Sequence, residues 1–286
     1  MDPEMFLDVA NSVAELHMFP YFDIANYALS CIHVRDDMNP NFLIVSRKHP
    51  FACWISSMLS CFAGYIVSNL LLGEMPLAPF KSAENVALAS LVWYLIFYSP
   101  FDVTYKLCKW FPVKAVLNVL KEILRVHKVH HGIHHARKMY PNAYLVHIII
   151  GVARGAGAGF TKVIERFIRG TWTTTGHEFL QPSFPTKACF AASVFFVLED
   201  MTDWMTWPHS IGYLVVVIFF VYFKVSSMLL HIHDPFQPIE NLFCAVFMGG
   251  LTDALSRALQ SSREKSAAKV PGAAVVQNGD GDKKKL

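Results

Sequence analysis

Four cationic side chains, Lys114, Lys121, Arg125 and Lys128, fall at offsets of 7, 4 and 3 residues in a stretch flanked on both sides by long apolar segments. On a helix those offsets place all four on one stripe, with Asn118 beside them. Inside lipid each such charge costs roughly 2.5–3.5 kcal/mol. The stripe therefore faces water or an anion. Two plainer accounts stay open beside this one. Lys121 and Arg125 can snorkel to headgroups, although that explains neither Lys128 nor the single face. Glu122, Asp23, Asp102, Glu199, Asp200 and Asp203 can supply structural ion pairs to this stripe and to Arg154, Lys162 and Lys224.

The same segment holds His127, His130, His131, His134 and His135, so H-x-x-H-H occurs twice. Membrane-bound di-iron enzymes use that pattern but draw ligands from several separate clusters. The other eight histidines contain no further H-x-x-H-H, which argues against an enzyme and against a metal centre. On a helix His127, His131 and His135 share a face, leaving adventitious zinc or a pH-sensitive mouth as alternatives.

The elements that must carry these residues follow from composition. The 286 residues are 53% hydrophobic and only 16% charged, against about 25% charged in soluble domains, and this indicates a membrane protein. Seven spans are expected, at 18–34, 51–72, 85–105, 113–136, 142–168, 184–205 and 209–232. The N-terminus lacks a basic leader and carries Asp2, Glu4, Asp8 and Glu15, so the first apolar segment is expected to stay in the mature chain. Basic residues gather after spans one, three and five and at the C-terminal end, whereas Lys81, Arg137 and Lys138 lie on the other side. The N-terminus is then luminal and the C-terminus cytosolic, as an odd span number requires. A net charge of +3 is explained by this topology, with no call for nucleic acid.

Pro50 opens span two and Pro141 opens span five, 91 residues apart. That offset sets Ser60, Gly64 and Ser68 against Gly151, Gly155 and Gly159, two stripes of small residues that allow close helix approach. The expected architecture is an all-α membrane protein in which spans one to three and four to six form an inverted repeat and span seven is added. In span five the run Arg154-Gly155-Ala156-Gly157-Ala158-Gly159 favours a bend or an unwound turn. Such a break needs a polar cavity beside it, and a half-helix starting near Phe160 would offer N–H groups to phosphate. Residues 1–260 form the spanning domain. The tail 261–286 is expected to be disordered, basic and cytosolic; its Lys283-Lys284-Lys285-Leu286 end resembles a dilysine retrieval signal. The six cysteines show no C-x-x-C pair and are expected to be buried and reduced.

Several stretches together resemble the trimeric intracellular cation (TRIC) channel family, including its invertebrate type 1B branch. They are Ser46-Arg47-Lys48-His49-Pro50 with Trp54, Leu70-Leu71-Leu72-Gly73-Glu74, Val92-Trp93-Tyr94-Leu95-Ile96-Phe97 with Pro100 and Asp102, and Lys121-Glu122 with Arg125. Gly132-Ile133-His134-His135-Ala136, Arg154-Gly155-Ala156-Gly157, Arg169-Gly170 with Trp172, and Ser183-Phe184-Pro185-Thr186-Lys187-Ala188 complete them. The resemblance implies a homotrimer of the endoplasmic or sarcoplasmic reticulum and nuclear membrane, each protomer having its own pore for potassium and other monovalent cations. That conduction is counter-ion flow supporting calcium release. It also implies a bound phosphoinositide, phosphatidylinositol 4,5-bisphosphate, held by Lys121 and Arg125 near Gly155 and Gly157. The bends that border the pore map to Gly64, Arg154, Gly155, Gly157 and Gly159. His127, His130 and His131 and the short tail depart from the mammalian members, so regulation is not carried over. A secondary transporter built on an inverted repeat is the rival reading.

Overall fold

The computed structural model describes residues 3–170, 178, 182–201, 208–230, 236–250, 253, 256 and 257. Every regular element among them is helical: α1 (Pro3–Ala14), α2 (Tyr21–Asp37), α3 (Phe42–Lys48), α4 (Pro50–Leu72), α5 (Ala83–Tyr98), α6 (Val103–Lys109), α7 (Phe111–Met139), α8 (Tyr144–Ile168), α9 (Phe184–Met201), α10 (His209–Leu230) and α11 (Gln237–Phe247), with two short 3₁₀ turns. The chain divides into two units, 1–235 and 236–286. In the second, α11 presents Leu242, Phe243, Val246 and Phe247 as exposed side chains. The expected tail 261–286, Asp203, and the ends of spans six and seven at 202–205 and 231–232 lie outside the described residues.

Three helices, α4, α8 and α10, are long and apolar enough to cross a membrane, and the bent pair α5 plus α6 makes a fourth. Helix ends are set by local chemistry. Pro50 stands in the first turn of α4, where its missing N–H is no loss. Gly73 ends α4 in the left-handed conformation at φ 74, with Glu74 N–H donating to Asn69 O at 2.8 Å. Span three, expected to run unbroken through 85–105, instead turns by 92° after Tyr98. Pro100 and the positive φ of Phe101 and Asp102 make the corner. Arg35 holds it: its guanidinium pairs with Asp102 at 2.9 Å, donates to Ile96 O at 2.5 Å, and lies between the Phe42 and Tyr105 rings at 4.0 and 3.9 Å.

Around this corner an apolar core of Tyr27, Cys31, Phe62, Ile96 and Phe97 ties α2, α4 and α5 together. α4 packs along α8, α2 along α7, and α7 is flanked by α8, α9 and α10. The expected unwound turn in span five is not found, because α8 runs continuously from Tyr144 to Ile168. Its small residues serve close packing on two sides. A Cβ on Gly64 would stand 2.1 Å from Arg154 O, and one on Gly157 would stand 2.5 Å from Gly64 Cα, so α4 and α8 meet backbone to backbone. Gly155 faces Val129 and Cys189, and Gly151 faces Ile133 and Ser193, which lets α7 and α9 approach the other side. With hydrogen bonds intact, α8 offers no half-helix N-terminus near Phe160. All six cysteines are free, and Cys244, expected to be buried, is exposed.

Candidate functional site

α7 is 29 residues long and begins with Pro112 in its first turn. Its stripe turns toward α2, α4 and α8, where a cavity of about 170 Å³ opens. Lys121, Arg125 and Lys128 line it from α7, Arg154 and the Gly155–Gly159 stretch from α8, Gly64 and Ser60 from α4, and Asn26 and His33 from α2. Among the described residues no carboxylate lines this chamber. Lys114, expected on the same stripe, is exposed and lies outside the cavity, while Asn118 is buried with its amide donating to Lys114 O at 2.7 Å. The helix is long enough that its first turn projects beyond the packed region.

Each cation in the chamber has a distinct environment. Arg125 is ion-paired to the buried Glu122 at 2.8 Å and donates to Gly155 O at 3.3 Å. Lys121 Nζ reaches Ser30 Oγ at 3.5 Å, and Lys128 Nζ stands 5.5 Å from the Tyr65 ring centre. Arg154 is 6% exposed, its guanidinium lies 4.4 Å over Tyr65, and its Nε and Nη1 have no hydrogen-bond partner among the described residues. Buried orphaned donors of this kind cost about 1–3 kcal/mol unless water or an anion meets them. Two of the acids weighed as partners for the stripe go elsewhere: Asp102 pairs with Arg35, and Asp200 pairs with Arg137 at 3.1 Å. Among the described residues, Glu122 is the acid in direct ion-pair contact with a stripe residue.

A second cavity of about 540 Å³ shares His33, Ser60, Ala158, Gly159 and Ser183 with the first. Asp36, Asp37, Glu165, Glu178, Lys162 and Arg169 add charge of both signs to its wall. Here several of the charges are paired within the protein. Asp37 accepts from Arg166 at 2.7 Å and Arg169 at 2.8 Å, and Asp36 pairs with Lys109 at 2.9 Å and accepts from the Tyr105 hydroxyl. Burial alone would raise the Asp37 carboxyl, but the hydrogen bonds and charges of the two arginines pull it down to about 2. Glu178 accepts from Ser183 N–H at 2.8 Å and from the Ser183 and Thr186 hydroxyls, and its carboxyl occupies the space a side chain at Gly159 would need.

The sequence reading missed Asn26, His33 and Asp37. Asn26, Ser30, His33 and Asp37 are spaced 4, 3 and 4 residues, a polar line on α2 that the same spacing argument used for α7 would have exposed. Glu178 carried no signal, since it acts from a loop. Of the histidines, His127 and His131 stand with ring centres 6.3 Å apart, and no group of three or more metal-ligating side chains occurs among the described residues.

Comparison with known proteins adds a separate line of support. Residues 39–231 match the model of the TRIC channel family. The chain is 52% identical over 279 residues to the trimeric intracellular cation channel type 1B.1 of Caenorhabditis elegans, covering 98% of this chain and 94% of that protein. It is 35% identical over 246 residues to the type A channel of Gallus gallus, with 86% and 82% coverage. A solved C. elegans trimeric intracellular cation channel in the absence of Ca2+ superposes with a TM-score of 0.77 at 50% identity, covering 82% of this chain and all of that one. A structure described for TRIC counter-ion channels in calcium release gives 0.74 at 35% identity, covering 79% and 99%.

Proposed function

Because the chain belongs to the TRIC family of multi-pass cation channels and is no enzyme, we propose that it conducts potassium and other monovalent cations as counter-ion flow during calcium release. In this reading it is a homotrimer of the endoplasmic or sarcoplasmic reticulum and nuclear membrane, with the N-terminus luminal and one conduit per protomer. Seven spans and an inverted repeat fit the packing, in which α2 meets α7 and α4 meets α8, the pairs a relation between spans one to three and four to six would produce.

The observation that carries the proposal is the inner chamber, lined by Lys121, Arg125, Lys128 and Arg154 with no acid among the described residues of its wall. A potassium ion about 6 Å from one unpaired ammonium is disfavoured by about 3 kcal/mol at an effective dielectric near 20. Several such charges close a cation path unless an anion cancels them. A phosphoinositide headgroup supplies that negative charge. Lys121 and Arg125 are placed to hold its phosphates, and the two orphaned Arg154 donors fit a phosphate or the water around it. Gly155 and Gly157 bring bare backbone to the same chamber.

Recordings from purified channel in planar bilayers under a potassium gradient test this directly. Ohmic potassium currents that rise with added phosphatidylinositol 4,5-bisphosphate are expected. Normal currents in lipid-free channel contradict the lipid's role, and concentrative flux without channel events favours the transporter.

A further inference from the structure

The histidines left unexplained by the basic chamber include a pair on the opposite side of α7. His130 Nε2 and His209 Nε2 are 3.0 Å apart, and their ring centres are 4.8 Å apart. Such a contact is a hydrogen bond only while one of the two nitrogens keeps a lone pair. The other nitrogen of His209 is fixed, because Nδ1 forms an ion-pair contact with Glu199 Oε2 at 3.2 Å. Glu199 itself is seated by the fold: its side chain is 10% exposed, and its carboxylate lies where a Cβ on Gly212 would come within 2.6 Å. Phe196 and Tyr213, both 2% exposed, enclose His130 with ring centres at 5.3 and 5.8 Å.

The N–H···N bond therefore joins α7 to α10, and the Glu199 contact brings in α9. His130 comes from α7, Glu199 and Phe196 from α9, and His209, Gly212 and Tyr213 from α10. The charged and titratable groups bearing on the rings are His127, His134 and Arg137 on α7, Glu199 and Asp200 on α9, and Tyr213 on α10. Asp200 is engaged by Arg137, which leaves Glu199 as the counter-charge in direct contact with the pair.

We propose that His130 and His209 form a proton site that ties α7 to α10 through one shared proton, with Glu199 adding α9 to the junction, and that the junction opens when both rings become imidazolium. With neither or one ring charged, one Nε2 donates and the other accepts. With both charged, two N–H groups point at each other across 3.0 Å and a single carboxylate remains to offset two cations. The ligand is the proton, read on the side of the molecule away from the Asp36 and Asp37 cavity. This inference stands independently of what the basic face of α7 binds.

Nitrogen-15 spectra of histidine-labelled full-length protein in lipid nanodiscs test the shared proton. At pH 7.5 a through-hydrogen-bond coupling between the two Nε2 nuclei is expected, disappearing as the pH falls to about 4. Melting measured over the same interval tests the opening. Wild type is expected to lose about 2–4 °C more than His130→Phe, in which one ring can no longer charge. Gly212→Ala, which displaces Glu199 without touching either ring, is expected to move the loss of coupling to lower pH, because the carboxylate that favours the second imidazolium has moved away. Equal pH losses in wild type and His130→Phe, or absence of the coupling at pH 7.5, overturn the proposal. So does stoichiometric zinc binding that replaces the bridging proton, since the pair would then be a metal site.

Discussion

The inner chamber gathers Lys121, Arg125, Lys128 and Arg154 without a carboxylate among the described residues of its wall, whereas the outer cavity sets Asp36, Asp37, Glu165 and Glu178 against Lys162 and Arg169. Their difference lies in who completes the charge balance. In the outer cavity the protein does so itself, through Asp37 with Arg166 and Arg169 and through Asp36 with Lys109. In the inner chamber Glu122 answers only Arg125. A self-balanced site is built for structure, and an unbalanced one is built to receive something. Removing charges from the two should therefore have unlike consequences.

The largest effect is expected from Lys121→Ala combined with Arg125→Ala. Two charge-assisted contacts are worth about 3 kcal/mol or more in headgroup affinity, over a hundredfold. Lipid mass spectrometry of the purified variant should show the phosphoinositide lost, with conduction lost alongside it. Retained lipid with lost current would separate the two roles. Gly64→Ala comes next, because its new Cβ meets the Arg154 carbonyl at 2.1 Å and backbone cannot step aside. About 3 kcal/mol of destabilisation is expected, seen as a lower melting temperature. Gly155→Ala meets the movable Val129 and Cys189 side chains at 2.5 and 2.6 Å and should cost less.

Asp37→Asn tests the outer cavity. Its side chain is 20% exposed, so losing both arginine pairs should cost about 1–2 kcal/mol, between a surface and a buried pair, with conduction retained. The sign with pH follows from the lowered carboxyl. The pairing contributes fully above the ordinary value of 3.8 and is lost as pH falls toward about 2. Melting curves of wild type and Asp37→Asn should accordingly converge over that interval. The smallest effect is expected from Lys114→Ala, an exposed residue outside both cavities, within about 0.5 kcal/mol and with lipid retention unchanged.

The stripe on α7 and the small-residue positions on α4 and α8 were legible in the sequence because helical periodicity is a local property. What those glycines do was not. A glycine run lowers helix propensity, and the sequence suggests a break at Gly155 to Gly159; the packing of α4, α7 and α9 against a continuous α8 overrides that preference. The corner after Tyr98 was likewise hidden, since it depends on Arg35, more than sixty positions away, pairing with Asp102. Lys114 shows the limit of the same argument: periodicity fixes a face but not how far along the helix its neighbours extend.

The contact at Gly64 also divides the chamber into a fixed wall and a free one. With backbone against backbone at Gly64 and Gly157, where no side chain can change rotamer, α4 and α8 are expected to travel as a single beam. Any widening around Lys121 then has to come from α2 and α7, whose shared surface is made of side chains.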